Sequence, residues 1–432
     1  MPNAGPHWVI DTIMTKPLQR SAVSAVLSAL ALAAYALVTA LAGVATLAAL
    51  AAGMALVAGA AHAGVISPSH DAQVIEMLPG ANGVRRDDRR LRQQWSQQPG
   101  NATLAVALAK RYLDRSREFG DPRFAGQAFA VLQAWPDAAS APDDVLLMRA
   151  TLQQYVHEFA AAAANLERLV QRSPGAVQAW AVLATVRRVQ GRLDASQRAC
   201  AGLDAAGAPF HARACVAENA GLRGEFEAAR GVFKALLATP GVAAPTRNWL
   251  FTSLAELEGR GGNAAAAEAA YRMALQAAPD GYTTLAFADH LLHQGRAVEA
   301  LALLKDQTRS DAVLLRLAIA GIRSNTAAGR SDARELRERF EQANLRPQAP
   351  GGHARGRHER EQAMFALWVD AQPRRALELA RDNVRAQCEP VDLLVFAQAA
   401  RALGSREALL EVDHLRKELG IHDRRIDRIV SR

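Results

Sequence analysis

Between residues 143 and 344 apolar and small positions return with a period near 34 residues, and within each period they follow helical spacing rather than strand alternation. The clearest unit holds Trp180, Leu183, Ala184, Gly191, Ser196 and Cys200. Val216, Ala217, Gly224, Ala229 and Phe233 restate it, followed by Leu254, Ala255, Gly262, Ala267, Tyr271 and Pro279. Phe287, Ala288, Gly295, Ala300 and Leu304 form a further unit; Ala150, Ala162, Leu166 and Pro174 precede the series, and a weaker unit runs from near Ala312 to Phe340. Small residues mark where two helices approach, large apolar ones fill the gap, and Gly or Pro punctuates the turns. A single unit cannot bury its own apolar face, so the units must stack. The pattern predicts an all-α solenoid of helical hairpins over 143–344. A helical pair precedes it at 101–142, a loop rich in Pro and Gly follows at 345–357, and two more pairs with a short amphipathic tail occupy 358–432.

The beginning of the chain reads differently. From Ser21 to Ala61 there are 41 residues without a charged side chain, preceded by Lys16 and Arg20 and closing on Ala61-His62-Ala63, a small-x-small cleavage pattern. As one helix this run would measure about 60 Å, twice a hydrocarbon core of ~30 Å. Residues 1–63 are therefore expected to be a signal peptide or a membrane anchor, with 64–100 a leader segment. Positive charge ahead of the apolar run places the remainder outside the cytoplasm, periplasmic or extracytoplasmic, cleaved or tethered to the inner membrane. Two spans returning the chain to the cytoplasm would need a polar turn, and none marks Gly43 or Gly53. Met14 is an alternative start.

Composition adds limits rather than a partner. With 50% apolar and 22% charged residues the chain can bury a sizeable core. Lys and Arg exceed Asp and Glu by 51 to 43, but the basic positions are scattered, and the cluster Arg85, Arg86, Arg89, Arg90, Arg92 encloses Asp87 and Asp88. Nucleic-acid binding needs a clustered basic face, so no nucleic acid is expected.

No phosphate-binding loop, nucleophile elbow or C-x-x-C is present, and no cofactor is expected. His157-Glu158 and His358-Glu359 begin a zinc-protease motif, but Ala161 and Gln362 stand where its second His belongs. His353, His358 and Glu361 are the one metal candidate, with His358 and Glu361 one helical turn apart. Acidic residues at Glu359 and Glu361 also suit a plain helix start. Cys200 and Cys215 fall on the second helix of one unit and the first of the next, which makes them a disulfide candidate in an oxidising compartment. They read equally as small core residues, and Cys388 as a lone core thiol.

The 34-residue pattern fits the tetratricopeptide repeat. The stretches GDPRFAGQAFAVLQAW, LLMRATLQQYVHEFAAAAANLERL, FTSLAELEGRGGNAAAAEAAYRMAL, HEREQAMFAL and RDNVRAQCEPVD resemble exported bacterial tetratricopeptide proteins without an assigned biochemical activity. Arg149 departs from that pattern at a normally apolar position. The resemblance implies a right-handed superhelix whose first helices line a concave groove. It places Glu218, Glu256 and Asp289 at equivalent positions there, with Trp249, Tyr282, Leu292 and His293 nearby and Arg188, Arg260, Arg316 and Arg323 toward the flanks. Three carboxylates in series, if unpaired, would draw a basic polypeptide; paired with those arginines they would only solvate the groove. The expectation is a non-enzymatic scaffold in the cell envelope that binds a protein or peptide partner. The alternative is an envelope enzyme, or a regulatory subunit of one, using His353, His358 and Glu361.

Overall fold

The computed structural model describes residues 82–345 and 359–431. The apolar run with its cleavage pattern, and the loop carrying His353 and His358, lie outside the described residues. All regular structure among the described residues is helical. Helix α1 spans Asn82–Gln97, and nine pairs follow: α2 Ala102–Phe119 with α3 Pro122–Val131, α4 Asp143–Tyr155 with α5 Phe159–Arg172, and α6 Val177–Val189 with α7 Leu193–Ala205. Next come α8 Pro209–Leu222 with α9 Phe226–Leu237, α10 Ala244–Arg260 with α11 Ala264–Ala277, and α12 Gly281–His293 with α13 Ala297–Leu304. The last pairs are α14 Asp311–Arg323 with α15 Ala327–Leu345, α16 Glu359–Trp368 with α17 Pro373–Asn383, and α18 Pro390–Leu403 with α19 Arg406–Glu418; α20, Arg424–Val430, ends the array.

Starts and stops follow local chemistry. Asn101, Asp280, Ser310 and Ser405 each accept a backbone N–H of the first turn that has no partner inside the helix. Pro stands in the first turn of α8, α10, α17 and α18, where its missing N–H costs nothing. Hairpin turns close with one recurrent hydrogen bond from the residue after a left-handed position back five residues, as in Arg192 to Arg187, Glu225 to Ala220, Asn263 to Glu258 and Arg296 to Leu291. Between α16 and α17 the left-handed residue is Ala371, at φ 53°. A methyl there is strained, so Ala371→Gly should raise unfolding stability by about 0.5–1 kcal/mol in a denaturant titration.

The first helix of each pair touches the first helix of the next, from α2 through α4, α6 and onward to α20, so these even-numbered helices form the inner layer. The odd-numbered helices lie outside. Interiors are apolar, and the largest buried cluster runs from Leu193 through Phe233, Leu250 and Phe396 to Ile426. Residues 82–97, expected as part of a leader, instead form α1: Leu91 and Trp95 pack on the first pair, and Asp88, 5% exposed, pairs with Arg111 and Arg115. The arginine cluster is thereby tied to a folded helix. Arg149 is also accounted for, since its guanidinium donates to the carbonyl oxygens of Trp135 and Leu132 at the end of the short helical turn after α3.

Cys200 on α7 and Cys215 on α8 are bonded, with Cα atoms 5.7 Å apart. Closing a loop of this length stabilises by roughly 3 kcal/mol in the chain-entropy account. Loss of about that much on reduction, read by denaturant unfolding with and without reductant, is the expected outcome; equal curves would mean the bond contributes nothing.

The array also coils back on itself. The turn of the first pair, at Gly120, meets Ser310 at the start of α14, the seventh pair. The turn of the third pair meets the segment leading into α18, where the Cys388 N–H donates to the Val189 carbonyl at 2.7 Å. The turn of the fourth meets the segment leading into α20, where the His422 N–H donates to the Leu222 carbonyl at 2.8 Å. Each contact joins elements six hairpins apart. Glycine is required at such a turn twice over: Gly224 sits at φ +87°, and a Cβ on it would come within 2.9 Å of the His422 ring.

Candidate functional site

The inner layer brings together most of the sequence-derived groove residues, though not as free charges. Glu218 on α8 forms an ion pair with Arg188 of α6 at 2.6 Å and accepts from the Ser253 hydroxyl of α10 at 2.8 Å. Asp289 on α12 takes a two-pronged bond from Arg316 of α14, at 2.9 and 2.6 Å. The expected unpaired acidic ladder is therefore corrected at these two positions. At these two positions an arginine of the neighbouring even-numbered helix supplies the opposite charge, which weakens the field that would attract a basic ligand.

Glu256 on α10 differs. It has no ion pair within 4 Å among the described residues and accepts from the Tyr282 hydroxyl at 2.6 Å. Burial pushes its carboxyl above the ordinary range, against the opposing pull of Arg260, and Glu389 and Glu218 add to the upward push. The Glu256 carboxylate in turn pushes the Tyr282 phenol well above its usual value. Yet Tyr282 is 64% exposed. Water therefore reaches this pair, although Glu389 of the ninth pair adds its charge to that of the fifth-pair Glu256.

The remaining groove candidates are dispersed. Trp249 is half-buried and stacks on His211 of α8, with ring centroids 6.1 Å apart. Leu292 is buried in the core. His293 lies at the far end of α12, its Nδ1 3.5 Å from the Gln398 amide of α18. Although its edge is open to solvent, the surrounding protein, with Arg425 nearby, pushes its imidazole below the ordinary range. Arg323 donates to the Leu292 carbonyl at 2.6 Å and lies over the Trp368 ring.

Of the metal candidates only Glu361, on α16, lies within the described residues. No group of three or more His, Cys, Asp and Glu side chains able to hold a metal occurs among those residues. The neighbouring Arg360 does something the sequence did not disclose. It bonds Asp392 at 2.6 Å and Glu389 at 2.6 Å, tying the start of α16 to the start of α18. The only sequence signal was an Arg between two acids at a helix start, which reads as solvated.

A cavity of about 570 Å³ lies where the coils meet, lined by Arg187, Arg192, Arg198, Arg223, Lys417 and residues around Gly191 and Gly420. Arg187 pairs there with Glu167, Arg223 with Asp194 and Lys417 with Asp413, so most of its cations are already neutralised.

No family model matches the chain. No curated protein matches it either. Among solved structures it is similar to a tetratricopeptide repeat protein from Parabacteroides merdae, at 15% identity and TM-score 0.42 over 52% of this chain and 87% of that one. PilF of Pseudomonas aeruginosa matches at 14% identity and TM-score 0.34, over 46% of this chain and 92% of that one. The Cut9–Hcn1 hetero-tetramer of the APC/C matches at 10% identity and TM-score 0.43, over 71% of this chain and 58% of that one.

Proposed function

We propose that this protein is a non-enzymatic interaction scaffold of tetratricopeptide type, exported to the cell envelope, whose inner layer binds a polypeptide partner. The observation that carries this reading is the inner layer itself, in which each even-numbered helix packs on the next and the solvated Glu256–Tyr282 pair joins two of them. Stacked hairpins of this kind act by presenting an extended surface. Because Glu218 and Asp289 are already neutralised by arginines, the partner is selected by hydrogen bonding and shape along that surface rather than by positive charge. Export rests on Lys16 and Arg20 ahead of the apolar run from Ser21 to Ala61, which either is removed after Ala63 or holds the chain to the inner membrane.

A photo-crosslinking residue placed at Tyr282 should yield a discrete adduct in envelope fractions, and the same residue at Val298, exposed on the odd-numbered helix α13, should not. Identical adducts from both positions, or none from position 282, would remove the inner-layer reading. Protease added to spheroplasts should digest the helical array. Full protection until the inner membrane is lysed would sink the envelope location.

A further inference from the structure

We infer that the inner layer is closed from the side, so that it forms an axial channel which takes an extended polypeptide segment and no folded domain, with entry gated by the seam between successive coils. The inference rests on the inner layer being the partner surface and adds how a partner reaches it. Four observations place the seam. The Gly120 turn lies against Ser310, the Gly191 turn against Leu419 and Cys388, the Gly224 turn against His422, and the Gly262 turn against Arg424 and Arg428. In each, a Cβ on the glycine would fall within 3 Å of a side-chain atom of the overlying coil, so no room is left between the coils at those points. Two backbone hydrogen bonds, Cys388 to Val189 and His422 to Leu222, cross the seam. Ile421 and Ile426 are 2% and 0% exposed and belong to the same buried cluster as Leu193 and Leu222.

A folded domain docks on a solenoid by entering its open side. Here that side is covered over the third to fifth pairs, which carry Glu218, Glu256 and their neighbours. Water nonetheless reaches the inner layer: the Glu218 side chain of the fourth pair keeps 17% of its surface, and Tyr282 of the adjoining sixth pair is 64% exposed. A thin segment can therefore lie in it, and its insertion requires either threading from an end or parting of the seam. The seam is the weaker element. It rests on local side-chain contacts and two main-chain bonds, whereas neighbouring pairs are joined along whole helices, and such contacts open before the global fold does.

The test uses the chain's own quiet thiols. Cys200 and Cys215 are bonded, and Cys388 is buried, its thiol pushed up to about 12 by burial, so an added cysteine is the reactive one. Tyr282→Cys reports on the inner layer where the sixth pair meets Glu256 of the covered fifth, and Val298→Cys on the outer surface, the latter 70% exposed. N-ethylmaleimide should label both at comparable rates. A polymer-tailed maleimide should label position 282 at least about tenfold more slowly than position 298, since it must wait for an open state populated at about 0.1–10%. Equal rates with the bulky reagent would overturn the closed channel. Gating is read separately by hydrogen exchange in the unmutated protein. The Cys388 and His422 amides should exchange by local opening, faster than amides in the middle of α18; exchange only through global unfolding would overturn it. Neither measurement involves a partner, so failure here leaves the crosslinking result standing, and the reverse holds.

Discussion

Replacing Asp392 by Ala is expected to cost about 3–5 kcal/mol of unfolding stability, the largest loss among single substitutions considered for this chain. Its carboxylate is 0% exposed and accepts four donors: Arg360 Nε at 2.6 Å, Arg360 Nη2 at 3.2 Å, Asn383 Nδ2 at 2.7 Å and the Glu389 N–H at 2.8 Å. Removing it leaves the largely buried Arg360 guanidinium with Glu389 alone, leaves the Glu389 amide unsatisfied and breaks the capping box that starts α18. Asp392→Asn should recover only part of the loss, because one face of the amide presents N–H groups to donors. A denaturant series on the helical chain measures both. A loss under about 1 kcal/mol for the alanine variant would show that the network is solvated and weak.

Gly321→Ala should cost about 1–3 kcal/mol, and Gly231→Ala should instead stabilise by about 0.4–1 kcal/mol. Both glycines lie within helices, where alanine is the better helix former. What separates them is the neighbour. A Cβ on Gly321 would stand 2.3 Å from the Cα of Gly329, on the partner helix α15, so main chain meets main chain and no side chain can rotate away. Around Gly231 nothing lies within 4 Å. Opposite signs for the same chemical change, measured by thermal and denaturant unfolding, would establish the helix crossing at Gly321 and Gly329. Like signs would contradict it.

These cases mark how far the sequence reaches. The 34-residue period and the Gly and Pro at its turns determine where helices start, stop and pair, because those are choices made within one hairpin by propensity, capping and burial of one face. The helices at 177–189, 193–205, 209–222 and 226–237, and the placing of Cys200 and Cys215 on adjacent ones, follow from that register. Helix α1 escaped notice because its sequence is highly charged, and only packing of Leu91 and Trp95 on the first pair, with Asp88 held by two arginines, makes it a folded element.

The site was legible as a row of positions and not as a state of charge. Equivalent places for Glu218, Glu256 and Asp289 come from the repeat; whether each carboxylate is free depends on side-chain rotamers, and Arg188 and Arg316, each on the neighbouring inner helix, settle two of the three into ion pairs. Closure of the coil was not legible at all. The bonds from Cys388 to Val189 and from His422 to Leu222 join residues about two hundred positions apart. No local pattern specifies such a meeting, because it is the sum of small rotations between successive pairs that brings the ninth over the third. The sequence by itself determined the hairpins and their order, since each is decided by neighbours within a few turns of helix. The tertiary structure decided which charges are quenched and that the coil shuts, since both depend on angles accumulated along the whole array.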